Sequence, residues 1–186
     1  PLAGLDDLVF GGWDPVETNA LEAALHSEVL PRDLVDCVAD ELRAVTARPA
    51  AFRADCVRRI TPKQAKRGSH RDVIAQLRDD IRAFRSASGA SRLVMAMLAS
   101  TEAHVPAHRA HGSLADLEEA LDRDDPGVTP AMLYGYAALQ EGVPFVNGTP
   151  NVCSDAAALQ ELASLLRVPV AGKDLKTGQT MMKTVL

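Results

Sequence analysis

Aromatic side chains are scarce, with four Phe, two Tyr and one Trp among 186 residues. So sparse a set argues against a base-stacking surface, which relies on successive exposed rings. Positive charge is not in excess either. Twenty Lys and Arg stand against 25 Asp and Glu, a net charge of −5, which argues against a concentrated nucleic-acid-binding face. Cysteine is limited to Cys37, Cys56 and Cys153, an odd number without metal-ligand or CxxC spacing. There is no signal-peptide pattern and no apolar run long enough to span a bilayer. The expectation is therefore a reduced, cytoplasmic protein without nucleic-acid or membrane partners. Also missing are a GxSxG nucleophile elbow, a Walker A loop and any GxGxxG fingerprint.

The chain does have the makings of an ordinary core, with 47% hydrophobic and 24% charged residues. Four short apolar runs stand out, at 8–14 (LVFGGWD), 92–100 (RLVMAMLAS), 143–148 (VPFVNG) and 168–172 (VPVAG). Each is apolar through its middle rather than alternating, as in strands covered on both faces. Helical patterns lie between them. Val73, Ile74, Leu77, Ile81 and Phe84 share one helical face. Ser113 is a candidate N-cap, Thr129-Pro130 a cap and first-turn pair, and Asp155 a third helix opening. Alternating strands and helices predict an α/β fold with a doubly wound, mostly parallel sheet. Residues 16–61 read as a helical excursion with no strand signal, interrupted at Pro31 and Pro49.

In such sheets ligands bind beyond the carboxyl ends of the strands. All four apolar runs end in polar or glycine-bearing segments: GGWD, ASTE, NGTPN and GKDLKTGQT. Two readings are open, a shared ligand cleft along one sheet edge or mere turn chemistry. The last segment has the order strand, glycine turn, helix start. Thr177 can cap that helix, leaving the N–H groups of Gly178, Gln179 and Thr180 to an anion, with Lys176 beside them as a cation. A capped helix with solvated lysines fits the spacing equally well. The basic stretch 58–71 likewise reads as a solvated loop and helix start or as an anion contact. His104, His108 and His111 read as an exposed loop rather than a metal site, since Pro106 interrupts the helical spacing.

The segments LDDLVFGGWD, ASTE, GVPFVNGTPN and AGKDLKTGQTMMKTVL, in that order, resemble the central part of the myo-inositol-1-phosphate synthase family (inositol-3-phosphate synthase), as does the VIAQLRDDIRAF helix. The resemblance implies a Rossmann-like domain holding NAD, part of an isomerase, an intramolecular lyase, in inositol and phospholipid biosynthesis. It implies that D-glucose 6-phosphate is oxidised at C5, deprotonated at C6, closed by attack of C6 on the C1 aldehyde, and reduced again, with no net redox change. By position, Asp14, Ser100, Thr101, Gly148, Thr149 and Asp174 would lie near NAD. Thr177, Gly178, Gln179 and Thr180 would hold the substrate phosphate over a turn at about 172–183, with Asp174 and Lys176 as catalytic candidates.

Two positions depart from the family pattern. Lys173 stands where an acid is usual, and Met181 where a lysine is usual. The family's dinucleotide turn would lie upstream and its catalytic lysines downstream. The expectation is thus a partial NAD-binding domain over 1–186, without the catalytic domain, inactive in isolation and a homotetramer when whole. The runners-up are another NAD-dependent sugar-phosphate oxidoreductase, or a non-catalytic interaction module using the excursion as its interface.

Overall fold

The computed structural model describes residues 3–99 and 102–174. Ser100, Thr101, Lys176, Thr177, Gly178, Gln179 and Thr180, candidates from the sequence, lie outside them. The core is built around a parallel three-stranded sheet, β3 (Met95–Met97), β4 (Phe145–Asn147) and β5 (Val170–Ala171), in that spatial order. Met95 pairs with Phe145 and Phe145 with Val170, which sets the register. Helices α4 (His70–Ser88), α5 (Leu114–Asp122), α6 (Pro130–Gln140) and α7 (Ala157–Leu166) surround it. Parallel strands joined through helices give the expected Rossmann-like α/β arrangement.

The helix starts follow from their capping residues. Ser69 accepts the N–H of Asp72 while Asp72 reaches back to Ser69, a reciprocal box at the head of α4, and Gly89 closes its end at φ +63°. The Ser113 and Thr129 side chains accept the N–H groups of Asp116 and Met132, opening α5 and α6 as their types dictate. The Asp155 expectation needs correcting. Helix α7 starts at Ala157, one residue later than an Asp155 cap would set it, with Ala156 as an uncapped N-cap, and Asp155 instead accepts the N–H of Cys153.

Helix α6 is apolar on every side, and Pro130 through Leu139 are all buried. Such a helix belongs in the middle of a domain. It packs on α4, α7, β3 and β4. The predicted α4 face is buried at Val73, Ile74, Leu77 and Ile81, while Phe84 is half-buried at the rim. Burial of these side chains contributes roughly 1.5–3 kcal/mol each.

The excursion departs from expectation in one respect. It holds the helices α1 (Ala20–Ser27), α2 (Arg32–Cys37) and α3 (Ala39–Ala44), but then a strand, β2 (Arg48–Pro49). This strand pairs in parallel with β1 (Trp13–Asp14), Arg48 donating its N–H to the carbonyl of Gly12. Two residues, one of them proline, leave no periodic signal, and proline suits only such an edge. Among the described residues β1 and β2 form a ladder of their own, not one continuous sheet with β3–β5. The expected single row of four strand tips is therefore divided. All four strands are also shorter than their apolar runs. Leu8, Val9 and Phe10 are exposed and unassigned to any strand, and so are Val94 and Leu98 beside β3.

Two features of the frame generate predictions. Gly172 follows β5 at φ +86°, and a Cβ there would lie 2.3 Å from the carbonyl oxygen of Asn147. Gly172→Ala therefore combines backbone strain with a main-chain clash, and should cost about 2–3 kcal/mol. A fall of roughly 5–10 °C in thermal midpoint is expected; an unchanged midpoint would contradict the tight β4–β5 approach. Glu141, at the end of α6, accepts from Arg78 Nε at 2.7 Å and Arg82 Nη2 at 2.7 Å. Burial opposes its charge, but the hydrogen bonds from Arg82 and Arg78 prevail and hold its carboxyl below the ordinary value of 4.5. A lowered carboxyl stabilises the fold above its unfolded-state pKa and ceases to do so as pH falls through its folded value. Denaturant midpoints should thus fall on acidification below about pH 4.5, and Glu141→Gln should flatten that part of the profile.

Candidate functional site

The carboxyl ends of β3, β4 and β5 are stitched together by buried polar groups. Asn147, the last residue of β4, is fully buried. Its Oδ1 accepts from the Thr149 N–H at 3.0 Å and the Thr149 hydroxyl at 2.7 Å, and its Nδ2 donates to the Asn151 carbonyl at 2.9 Å. Asn151 Oδ1 in turn accepts the Glu102 N–H at 2.8 Å, which joins the loop after β3 to the loop after β4. The Gly148 N–H reaches the Met97 carbonyl at 2.9 Å, and the Asp174 N–H reaches the Thr149 carbonyl at 3.0 Å. The Ser154 hydroxyl donates to the carbonyl of Gly172. Each bond removes a backbone group that would otherwise be stranded at a buried strand end.

Three of the sequence candidates, Gly148, Thr149 and Asp174, are therefore brought together. Thr149 is turned inward, its hydroxyl donating to Asn147 and accepting from the Asn151 N–H. Its part in the loop is to hold the backbone. Asp174 sits in the left-handed region at φ +62°, at the end of the described chain. Lys173 pairs with Asp155 at 2.8 Å, and this bond raises the lysine and helps lower the aspartate against its burial. The cation at this position thus has an acid from the neighbouring loop.

Asp14 lies apart from this group, at the end of β1, where its Oδ1 accepts the Val16 N–H at 2.7 Å. Between β1 and β3 runs a cleft of about 1140 Å³, whose wall includes Phe10, Trp13, Asp14, Leu98, Glu102 and Tyr134. Asp14 and the β3 tip thus face one space. Its β1 wall is braced by Asp80 of α4, which accepts from Trp13 Nε1 at 2.7 Å and pairs with Lys66 at 2.5 Å and Arg48 at 3.1 Å. Tyr134 lies 5.3 Å from the Trp13 ring and accepts the Ala51 N–H. Burial pushes the tyrosine hydroxyl pKa up, as it does for the thiols of Cys153 and Cys56, the last to about 11. Thiols so raised are poor nucleophiles at neutral pH.

Sequence reasoning did not select Asn147, Asn151, Glu102, Asp80 or Lys66. The available signal was a polar residue directly after an apolar run, as in FVNGTPN and ASTE. The basic stretch 58–71 proves partly structural, since Lys66 is engaged with Asp80, and Arg71 binds Glu118 and Asp122. His104 is an exposed loop residue, as expected, whereas His108 and His111 are half-buried. His108 lies 3.4 Å from Asp125, and the His111 ring meets the carbonyl of Gly127. Among the described residues no group of three His, Cys, Asp or Glu could hold a metal.

The site suits a dinucleotide in two respects. The cleft is large enough for an extended ligand, and Glu102, one of its lining residues, carries a buried carboxylate oxygen, Oε2, that lacks a partner among the described residues. Comparison with known proteins points the same way. Over residues 1–184 the chain matches the NAD-binding domain model described as myo-inositol-1-phosphate synthase. It is 45% identical to an inositol-3-phosphate synthase of Bacteroides thetaiotaomicron, with all of this chain and 44% of the relative covered. It is 32% identical to an inositol-3-phosphate synthase of Oryza sativa, covering all of this chain and 37% of that protein. The crystal structure of inositol-3-phosphate synthase from Caenorhabditis elegans superposes with a TM-score of 0.90 at 23% identity, over 98% of this chain and 37% of that one, a likeness of fold. The chain spans less than half the length of these relatives. Matched from end to end by the family's cofactor-binding model, this chain belongs to the myo-inositol-1-phosphate synthase family.

Proposed function

We propose that the chain forms the cofactor wall of an NAD-dependent isomerase that converts D-glucose 6-phosphate to inositol phosphate. The observation that carries this reading is the family match across residues 1–184, over a fold whose strand tips border a cleft of dinucleotide size. When bound, NAD supplies reversible hydride exchange at the sugar. The protein's own part is positioning. The network from Asn147 to Glu102 fixes the backbone at Gly148 and Thr149, and Asp14 presents its carboxylate from the facing side.

Asp174, held at the Thr149 carbonyl, is the acid nearest the sugar in this reading. Ser100 and Thr101 complete the cofactor contacts. Lys176 and the amides of Thr177, Gly178, Gln179 and Thr180 take the substrate phosphate, on the grounds given for a helix start with a cation beside it. We place the whole protein in the cytoplasm as a homotetramer serving inositol and phospholipid biosynthesis. Among the described residues no helix is long and apolar enough to cross a membrane.

Assay of the whole protein with glucose 6-phosphate and NAD should yield a cyclitol phosphate with flat absorbance from reduced nicotinamide. Steadily accumulating NADH would favour a plain sugar-phosphate oxidoreductase instead. Gly178→Val should raise KM for glucose 6-phosphate at least about tenfold, the loss of one charge-assisted contact, while leaving the Kd for NAD unchanged. Equal KM values would remove the phosphate from this turn.

A further inference from the structure

Glu102 carries a carboxylate oxygen that the described fold does not use. Its main-chain N–H is fixed by Asn151 Oδ1 at 2.8 Å, and its Oε1 accepts the Ala131 N–H, in the first turn of α6, at 2.9 Å. Oε2 is shielded from solvent and, among the described residues, has no hydrogen-bond partner. Two neighbours act on the carboxyl from close by, Thr129 through its side chain and Arg53 through its charge. The Thr129 hydroxyl contacts the Val152 carbonyl at 3.5 Å, and Arg53 spends its N–H groups on Asp55 and the carbonyls of Pro126 and Val128. Burial raises this carboxyl, against the opposing pull of Thr129, Ala131 and Arg53. A buried acceptor without a donor forfeits its hydration and calls for an explanation.

The explanation lies on the cleft wall that Glu102 shares with Asp14 and Tyr134. We propose that Glu102 Oε2 is a binding contact for the cofactor, accepting a hydrogen bond from one N–H or O–H group of the dinucleotide; this rests on the NAD reading above. The side chain is preorganised for the task, because both its backbone and its other oxygen are already anchored. Seclusion from water strengthens such a bond.

The test is calorimetric titration of the whole protein with NAD. Glu102→Gln keeps an oxygen for the Ala131 N–H but replaces the free acceptor with a donor. The expected outcome is a Kd for NAD raised about 10–100-fold, with the ligand-free thermal midpoint within about 2 °C of wild type. Unchanged affinity in the variant, with wild type binding NAD, overturns the contact and leaves Glu102 as a helix-capping residue. No binding by wild type overturns the NAD reading itself, a separate result. Should the variant fail to fold, wild type is titrated with NAD analogues lacking the carboxamide N–H or individual ribose hydroxyls. One of these should lose affinity by the same factor, and uniform affinity across the set overturns the proposal.

Discussion

The organisation of this domain depends on one fully buried amide, the side chain of Asn147. A strand that ends inside the protein leaves its last donors and acceptors without water, and the loop that follows must satisfy them. Asn147 does so with both ends of its side chain, taking two donors from Thr149 and giving one to the Asn151 carbonyl. Asn151 extends the chain of bonds to Glu102, and Thr149 extends it to Asp174. Three loops far apart in sequence are thereby hydrogen-bonded to one another. An apolar residue at 147 would leave the Thr149 and Asn151 groups stranded, so the position is constrained far more tightly than its size suggests.

On the opposite wall of the cleft the organising group is charged. Asp80 gathers Trp13, Lys66 and Arg48, which come from β1, the segment before α4, and β2. Two cations meeting one mostly buried carboxylate repay its desolvation only because each also has a fixed backbone position. This tie attaches the small β1–β2 ladder to α4 where, among the described residues, no hydrogen-bonded strand joins it to the main sheet. The cleft is thus the seam between two separately braced ladders, with neutral hydrogen bonds on one side and ion pairs on the other.

Much of this was legible in the sequence. Ser113 and Thr129 cap helices through local bonds, so position along the chain locates α5 and α6, and apolar spacing alone locates the buried face of α4. The middles of β3, β4 and β5 were legible for the same local reason, whereas β1 occupies only the last two residues of its run. What failed depends on distant partners. Strand β2 exists because the Arg48 N–H meets Gly12, thirty-six positions earlier, and two residues carry no period. The carboxylate at 155 is drawn from its expected capping role by Cys153 and Lys173. At the site, Asp14, Gly148 and Thr149 were candidates through the family resemblance, and nothing in their order along the chain showed that Thr149 faces inward. Lys173, an oddity in the sequence, finds its reason only in the fold, where Asp155 lies beside it.

Trp13 is the only tryptophan in the chain, and it stands in the cleft wall with its indole N–H held by Asp80. All tryptophan emission therefore originates beside the space between the two ladders. The chain carries a built-in optical probe there, one that needs no label, and quenching or energy transfer from it reads occupancy of that space directly.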